Sequence, residues 1–327
     1  GDDRKTEIIP ISGDLSIEDM IAEEDMVVTI SHNGYIKRTS LSTYRSQRRG
    51  GRGVQGASSR DEDFVEHLFV ANTHSYILFF TDKGKCYWVK VYDIPEGGRA
   101  AKGRAIVNLI GCEPDEKVSA FISVKEFNED HYVVMATEKG MVKKTKLSAY
   151  SNPRKKGIYA VEIREGDRLI EARVSTGDND ILLGTRNGKS IRFSEEQIRA
   201  SGRKTMGVKG ITLSSEDDRL VGMLLIKREG TVLVATEKGF GKRTEISQYR
   251  AQKRGGKGVL TMKTTDKVGK MVTIKEVVDK DDLMIITNQG VLIRLPVVQI
   301  RSIGRATQGV KLIKLGEGTL VSSITRI

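Results

Sequence analysis

Apolar and polar positions along this chain are organised in short runs, and the runs recur with fixed punctuation. Each apolar run ends in Ser or Thr, and three positions later comes Gly. The Gly is Gly34, Gly84, Gly140, Gly188, Gly239 and Gly290, at intervals of 50, 56, 48, 51 and 51 residues. The positions seven and six before it are apolar every time: Val27-Val28, Ile77-Leu78, Val133-Val134, Ile181-Leu182, Val232-Leu233 and Leu283-Met284. β-Branched runs that close on Asn-Gly, Lys-Gly or Gln-Gly predict β-hairpins, because Gly supplies the positive φ of a tight turn. Further strand-like runs lie between repeats, at 66–71, 119–124, 169–174 and 221–226. Each unit thus has about four short strands. A four-stranded unit repeated six times predicts a propeller-like ring; an open solenoid is the alternative, and the period is long for one.

A second Gly follows each first one inside a basic loop: Gly53, Gly103, Gly157, Gly207, Gly258 and Gly309. It lies 19 residues on, or 17 in the third unit. Odd and even units differ. After the turn, odd units read Lys37-Arg38-Thr39, Lys143-Lys144-Thr145 and Lys242-Arg243-Thr244. Even units read Tyr87-Trp88-Val89, Ile191-Arg192-Phe193 and Ile293-Arg294-Leu295. Odd units carry Tyr44, Tyr150 and Tyr249 ten residues past the turn, and even units carry Ile. Even loops share Gly-Arg-x-x-x-Gly from Gly98, Gly202 and Gly304. A two-unit ancestor, tripled, accounts for this alternation.

Length alone, 327 residues, suggests two domains, but the repeat argues for one array with a continuous core. Residues 1–24 are expected to be a lead-in and 25–327 a single six-bladed domain. No apolar stretch approaches the roughly 18 residues of a membrane helix, and no export leader is visible. A cytoplasmic setting without membrane contact is therefore expected, with Cys86 and Cys112 as free thiols.

The net charge is +12, and its placement matters more than its size. The six windows from first to second Gly hold 30 Lys and Arg against 5 Asp and Glu, while the remainder is net acidic. Equivalent positions in a ring lie at equivalent radii, so this charge is expected to form a belt suited to a polyanion. Odd windows carry +6, +6 and +5 and even windows +2, +3 and +3, so odd blades are expected to give the stronger anion contacts. The expected phosphate contacts are Lys37, Arg38, Lys143, Lys144, Arg192, Lys242, Arg243 and Arg294 after the turns. In the loops they are Gln47, Arg48, Arg49, Gly50, Gly51, Arg52, Gly53, Arg154, Lys155, Lys156, Arg203, Lys204, Lys253, Arg254, Lys257 and Arg305. Gly-Gly would let backbone amides approach an oxygen. Trp88, at one such position, is expected to pack between blades.

Catalytic chemistry is not indicated. Gly98 to Gly103 lacks the Lys-Ser/Thr that a nucleotide loop requires. The four histidines have no metal-ligand spacing, so no metal site is expected. The Tyr of odd units is repeated, whereas a nucleophile needs one unique site. A protein-interaction scaffold and an enzyme with a site in the central channel are the competing classes. The first would not segregate charge, and the second would need convergent carboxylates or histidines.

The heptad Gln47-Arg48-Arg49-Gly50-Gly51-Arg52-Gly53 resembles the box motif of the C-terminal domain of the bacterial DNA gyrase A subunit. Its flanks, Glu24 to Thr29 and Gly34 to Thr39, resemble that family too, as does the lead-in from Gly1 to Ile8. The resemblance covers essentially the whole chain. It implies a six-bladed β-pinwheel whose blades exchange strands, with double-stranded DNA wrapped around a basic rim. It also implies that the wrap sets the handedness of ATP-driven negative supercoiling, and that the box joins first blade to last. The partner implied is the gyrase B subunit in an A2B2 assembly, held through the other half of the A subunit. ATP and Mg²⁺ would act elsewhere in that enzyme, and this chain would be a cofactor-free, non-catalytic monomer beside the bacterial nucleoid. A near-copy of the box, Gln252 to Gly258, sits in the fifth unit, so the resemblance does not give the wrapping role to one loop alone. The equivalent domain of topoisomerase IV is the nearest alternative; it commonly has fewer blades and a degraded box.

Overall fold

In the computed structural model, residues 17–31, 33–40, 65–98, 101–289 and 292–326 are described. They form six antiparallel sheets, one per repeat, with a single five-residue α-helix, Ile106–Ile110. The all-β, six-bladed expectation holds. Blade 1 is built on the hairpin Asp25–Ser31/Tyr35–Ser40, and blades 2 to 6 on the corresponding hairpins of their units. At the turns, Gly34, Gly84, Gly140, Gly188 and Gly239 have φ between +77° and +85°. The Ser or Thr three residues earlier closes the turn twice. Its carbonyl accepts the Gly N–H, and in blades 1 to 4 its hydroxyl accepts the N–H one residue past the Gly.

The paired apolar positions are explained by burial on both faces of the strand. Consecutive strand residues point to opposite sides. Ile77 enters the core between blades 1 and 2, and Leu78 the core between blades 2 and 3. Val133 and Val134, Ile181 and Leu182, and Val232 and Leu233 divide in the same way. The hydrophobic core is therefore a series of inter-blade layers, each shared by neighbours.

The third strands of the units, Val65–Asn72, Val118–Val124, Leu169–Ser175, Leu220–Ile226, Met271–Val277 and Val321–Arg326, lie inside the hairpins. Residues of all six line one axial cavity, so the blades stand around a common axis. The opposite edge of each blade is supplied by the next unit. Residues Arg104–Ala105, just past Gly103 of unit 2, pair with the hairpin of blade 1. The pairs Ile158–Tyr159, Val208–Lys209, Val259–Leu260 and Val310–Lys311 do the same for blades 2 to 5. Blade 6 has three strands among the described residues.

Candidate nucleic-acid interface

Among the described residues, the basic loops of units 2 to 6 reach back over the blade before them, and the second Gly is where each docks. Gly103, Gly157, Gly207, Gly258 and Gly309 all have φ between +67° and +82°. A Cβ on Gly207 would stand 2.3 Å from the Val142 carbonyl oxygen, and one on Gly258 2.4 Å from that of Ser190. These glycines are fixed by backbone approach between blades, not by the approach of a ligand. The turn glycines receive the chain just beyond each docked loop: the Gly140 carbonyl accepts from both Gly210 and Ile211 N–H, and the Gly188 carbonyl from Thr261 and Met262.

The lysines three residues past the odd turns lie inside the protein, contrary to the expectation of phosphate contact. Lys37, Lys143 and Lys242 are buried, the last with no exposed surface (0 %). Each ammonium donates to backbone carbonyls of the next, even, loop. Lys37 Nζ reaches Gly98 and Ala101, Lys143 Nζ reaches Arg203 at 2.8 Å, and Lys242 Nζ reaches Gly304 and Arg305. Lys143 also donates to Ala160 at 2.6 Å. Burial pulls the Lys143 ammonium down to about 7, with the Arg203 guanidinium adding to it. Burial, then Arg305, pulls Lys242 down to about 8, and burial lowers Lys37. An ammonium withdrawn from water and facing only carbonyl dipoles loses part of its preference for the charged form.

The next position is also a clasp between blades. Arg38 Nε donates to Ile94, Lys144 Nζ to Glu195, Arg192 Nη1 to Ile246 and Tyr249, and Arg243 Nε to Ile300. All of these carbonyls lie in, or directly beyond, the short 3₁₀ turn of the following blade. Carboxylates complete the sites: Glu96 beside Arg38, Glu195 beside Lys144, Asp180 beside Arg192 and Asp279 beside Arg243. Trp88 takes the position in blade 2, and its Nε1–H donates to the Tyr150 carbonyl at 2.8 Å. It packs between blades as expected, and it replaces the cation in kind, one N–H for another. Lys144 is buried, and Arg38, Arg192 and Arg243 are half-buried. Arg294 remains exposed, bonded to Asp282.

The outward charge is carried by the loop tips. Arg154, Lys155, Lys156, Lys204, Lys253 and Lys257 are exposed. Arg203, Arg254 and Arg305 are half-buried, and two of them anchor loops: Arg254 donates to Lys209, and Arg305 to Leu260. Gln47, Arg48, Arg49, Gly50, Gly51, Arg52 and Gly53 lie outside the described residues, as does Tyr44. Exposed cations that the sequence windows missed are Arg104, Lys209 and Lys311. They stand in the exchanged strands, one or two residues past the second Gly, where extending each window slightly would have included them. Tyr150 and Tyr249 are buried, with hydroxyls facing the Ala160 carbonyl and Thr261 Oγ1. Cys86 is buried, and both cysteines are free thiols.

The family described as DNA gyrase C-terminal domain, beta-propeller, matches residues 25–72, 75–125, 131–176, 179–227, 230–277 and 281–326, one segment per blade. The DNA gyrase A subunit of Staphylococcus epidermidis is 49% identical over the whole chain, and that of Staphylococcus aureus 48%. The chain spans 37% of the length of each of these relatives. A solved C-terminal domain of DNA topoisomerase IV superposes with a TM-score of 0.80 at 27% identity, covering 94% of both chains. A solved DNA gyrase A C-terminal domain superposes at 0.75 and 24% identity, covering 93% of this chain and 99% of its own, which is a likeness of fold. The solved topoisomerase IV and gyrase A domains thus match this chain to a similar extent.

Proposed function

This chain belongs to the family of DNA gyrase C-terminal β-propeller domains, and from that premise we propose that it binds, bends and wraps duplex DNA along its rim without reading sequence. The observation that carries the reading is the row of exposed loop cations at equivalent places on successive blades: Lys155 and Lys156, Lys204, Lys253 and Lys257. Lys and Arg at such spacing neutralise phosphates, and a backbone-reading surface discriminates by bendability. Buried Lys143 serves the same end indirectly, since it holds the loop that presents Lys204. A wrap of fixed hand would give the parent topoisomerase its direction of supercoiling. The B subunit, in an A2B2 assembly, would then be engaged through the part of the A subunit outside this chain. We place no catalytic step here: Tyr150 and Tyr249, two of the repeated tyrosines, are sealed in the core, and we assign binding no cofactor. The topoisomerase IV reading is less well supported, since the matching family and the relatives at 48–49% identity are those of gyrase A. Duplex binding measured against salt tests the proposal. If about 8 phosphates are neutralised, the log–log slope is about −7; a slope near zero contradicts it.

A further inference from the structure

The axial cavity has a chemistry of its own, separate from the rim. Its volume is about 820 Å³, and its lining carries five cationic side chains against two carboxylates. That size suits a small molecule. The cations come from the inner strands of blades 3 to 6 or their ends, so they gather on one side. Both carboxylates are already engaged. Glu171 meets Arg173 at 3.4 Å; Glu276 meets Arg228 at 3.4 Å and accepts from the Lys227 and Arg228 N–H groups. Asp281, outside the lining, also pairs with Arg228.

Two guanidinium groups keep unspent donors. Arg173 Nε is buried and has no hydrogen-bond partner. Arg326 donates Nη1–H to the Glu276 carbonyl and forms no ion pair among the described residues. Burial lowers the affinity of Arg326 for its proton, Arg228 and Arg173 add to that, and Asp281 and Glu276 oppose it. The acids beside these cations are engaged by Arg173 and Arg228, and the buried Arg173 Nε–H is left without an acceptor. Phe69 and Phe121 also line the cavity, stacked with centroids 4.9 Å apart and partly accessible.

We propose that the axial cavity is a binding site for a small phosphorylated anion, its phosphoryl oxygens accepting from Arg173 and Arg326. Guanidinium forks match phosphoryl oxygens in geometry and charge. The aromatic wall offers a nucleoside ring a stacking surface, and an inorganic anion would leave that wall unused. The site does not rest on the DNA reading, because it faces the axis while the loops face the rim.

Titration calorimetry of the chain, without DNA and near physiological salt, tests this with two probes: sodium pyrophosphate and adenosine monophosphate. Saturable one-to-one binding of either is expected. Arg326→Gln and, separately, Arg173→Gln should weaken it about tenfold or more, whereas the rim variant Lys155→Ala/Lys156→Ala leaves it unchanged. Phe69→Leu should weaken the nucleotide alone if the ring uses the aromatic wall; equal binding of both probes, insensitive to Phe69, identifies an inorganic-anion site. Unfolding temperatures identify any variant lost to misfolding, and Arg326, at the end of the last strand, gives an arm independent of Arg173. No saturable heat with either probe overturns the proposal, as does a loss as large in the rim variant as in Arg326→Gln.

Discussion

The ammonium of Lys143 lies 2.8 Å from the backbone oxygen of Arg203, a residue of the next blade. A buried cation thereby fastens the loop that carries an exposed one, Lys204. The same arrangement joins Lys37 to the loop at Gly98 and Lys242 to the loop at Gly304. The odd–even alternation is accordingly an alternation of fastener and fastened loop, and it accounts for part of the extra charge counted in odd units.

Replacing Lys143 by Met keeps the packing and strands two carbonyls. An unpaired buried acceptor costs about 1–3 kcal/mol, so Lys143→Met should lower stability by about that much. The sign of its pH dependence is fixed. Lys143 has a folded pKa near 7 against 10.5 unfolded, so the unfolded chain binds more protons between those values, and Lys143 makes the wild type more stable as pH rises through that window. The cost of Lys143→Met should therefore grow from pH 7 to pH 9, by no more than about 1.4 kcal/mol per unit. Denaturant unfolding of both proteins at the two pH values measures it.

The clasp at Trp88 should be structural alone. Trp88→Phe keeps an aromatic ring and removes the N–H given to Tyr150, a loss of about 1 kcal/mol in unfolding free energy. The salt slope of DNA binding should not move. A reduced slope would mean that Trp88 acts at the DNA surface.

Adding one methyl at Gly207 should be worse than the Trp88 change. The position has φ +76° and a carbonyl oxygen 2.3 Å from any Cβ. Gly207→Ala should cost about 2 kcal/mol or more, since left-handed strain and backbone displacement add. Gly202→Ala, with open space around it, is the control and should cost under about 1 kcal/mol. Thermal melts of the pair decide.

Lys155→Ala/Lys156→Ala and Lys143→Ala/Lys144→Ala each remove two lysines from the same repeat. The exposed pair should flatten the log–log salt slope by about 1.8 with stability unchanged, at about 0.9 per phosphate contact. The buried pair should destabilise the fold. If both pairs change the slope equally without loss of stability, the distinction between fastener and rim fails.

The hairpins and the repeat were legible because turn glycines and doubly buried strands leave local marks: a Ser or Thr at −3, and adjacent apolar residues such as Ile77 and Leu78. The roles of Lys37, Lys143 and Lys242 were not. A basic residue on a strand beside a turn reads as solvent-facing, and the carbonyls that neutralise it are about sixty residues away. One trace existed. Lys at +3 in odd units is in phase with Gly-Arg-x-x-x-Gly in the unit after, and paired alternations mark paired partners. The second glycines misled in the same way, because close approach to a neighbouring blade and close approach to a phosphate demand the same residue. Strand exchange between blades was legible only through resemblance, since a two-residue pairing such as Val208–Lys209 with Met141 and Val142 has no local mark that names its partner.

Ligation of nicked circular DNA in the presence of the chain tests wrapping most directly, since the writhe trapped at sealing survives removal of the protein. The wild type should shift the topoisomer distribution to one sign in proportion to bound chain. Lys155→Ala/Lys156→Ala/Lys253→Ala/Lys257→Ala should shift it markedly less at equal occupancy of DNA, with its melting temperature intact. A distribution identical to that of the wild type, at equal occupancy, would contradict a DNA path over the loop tips.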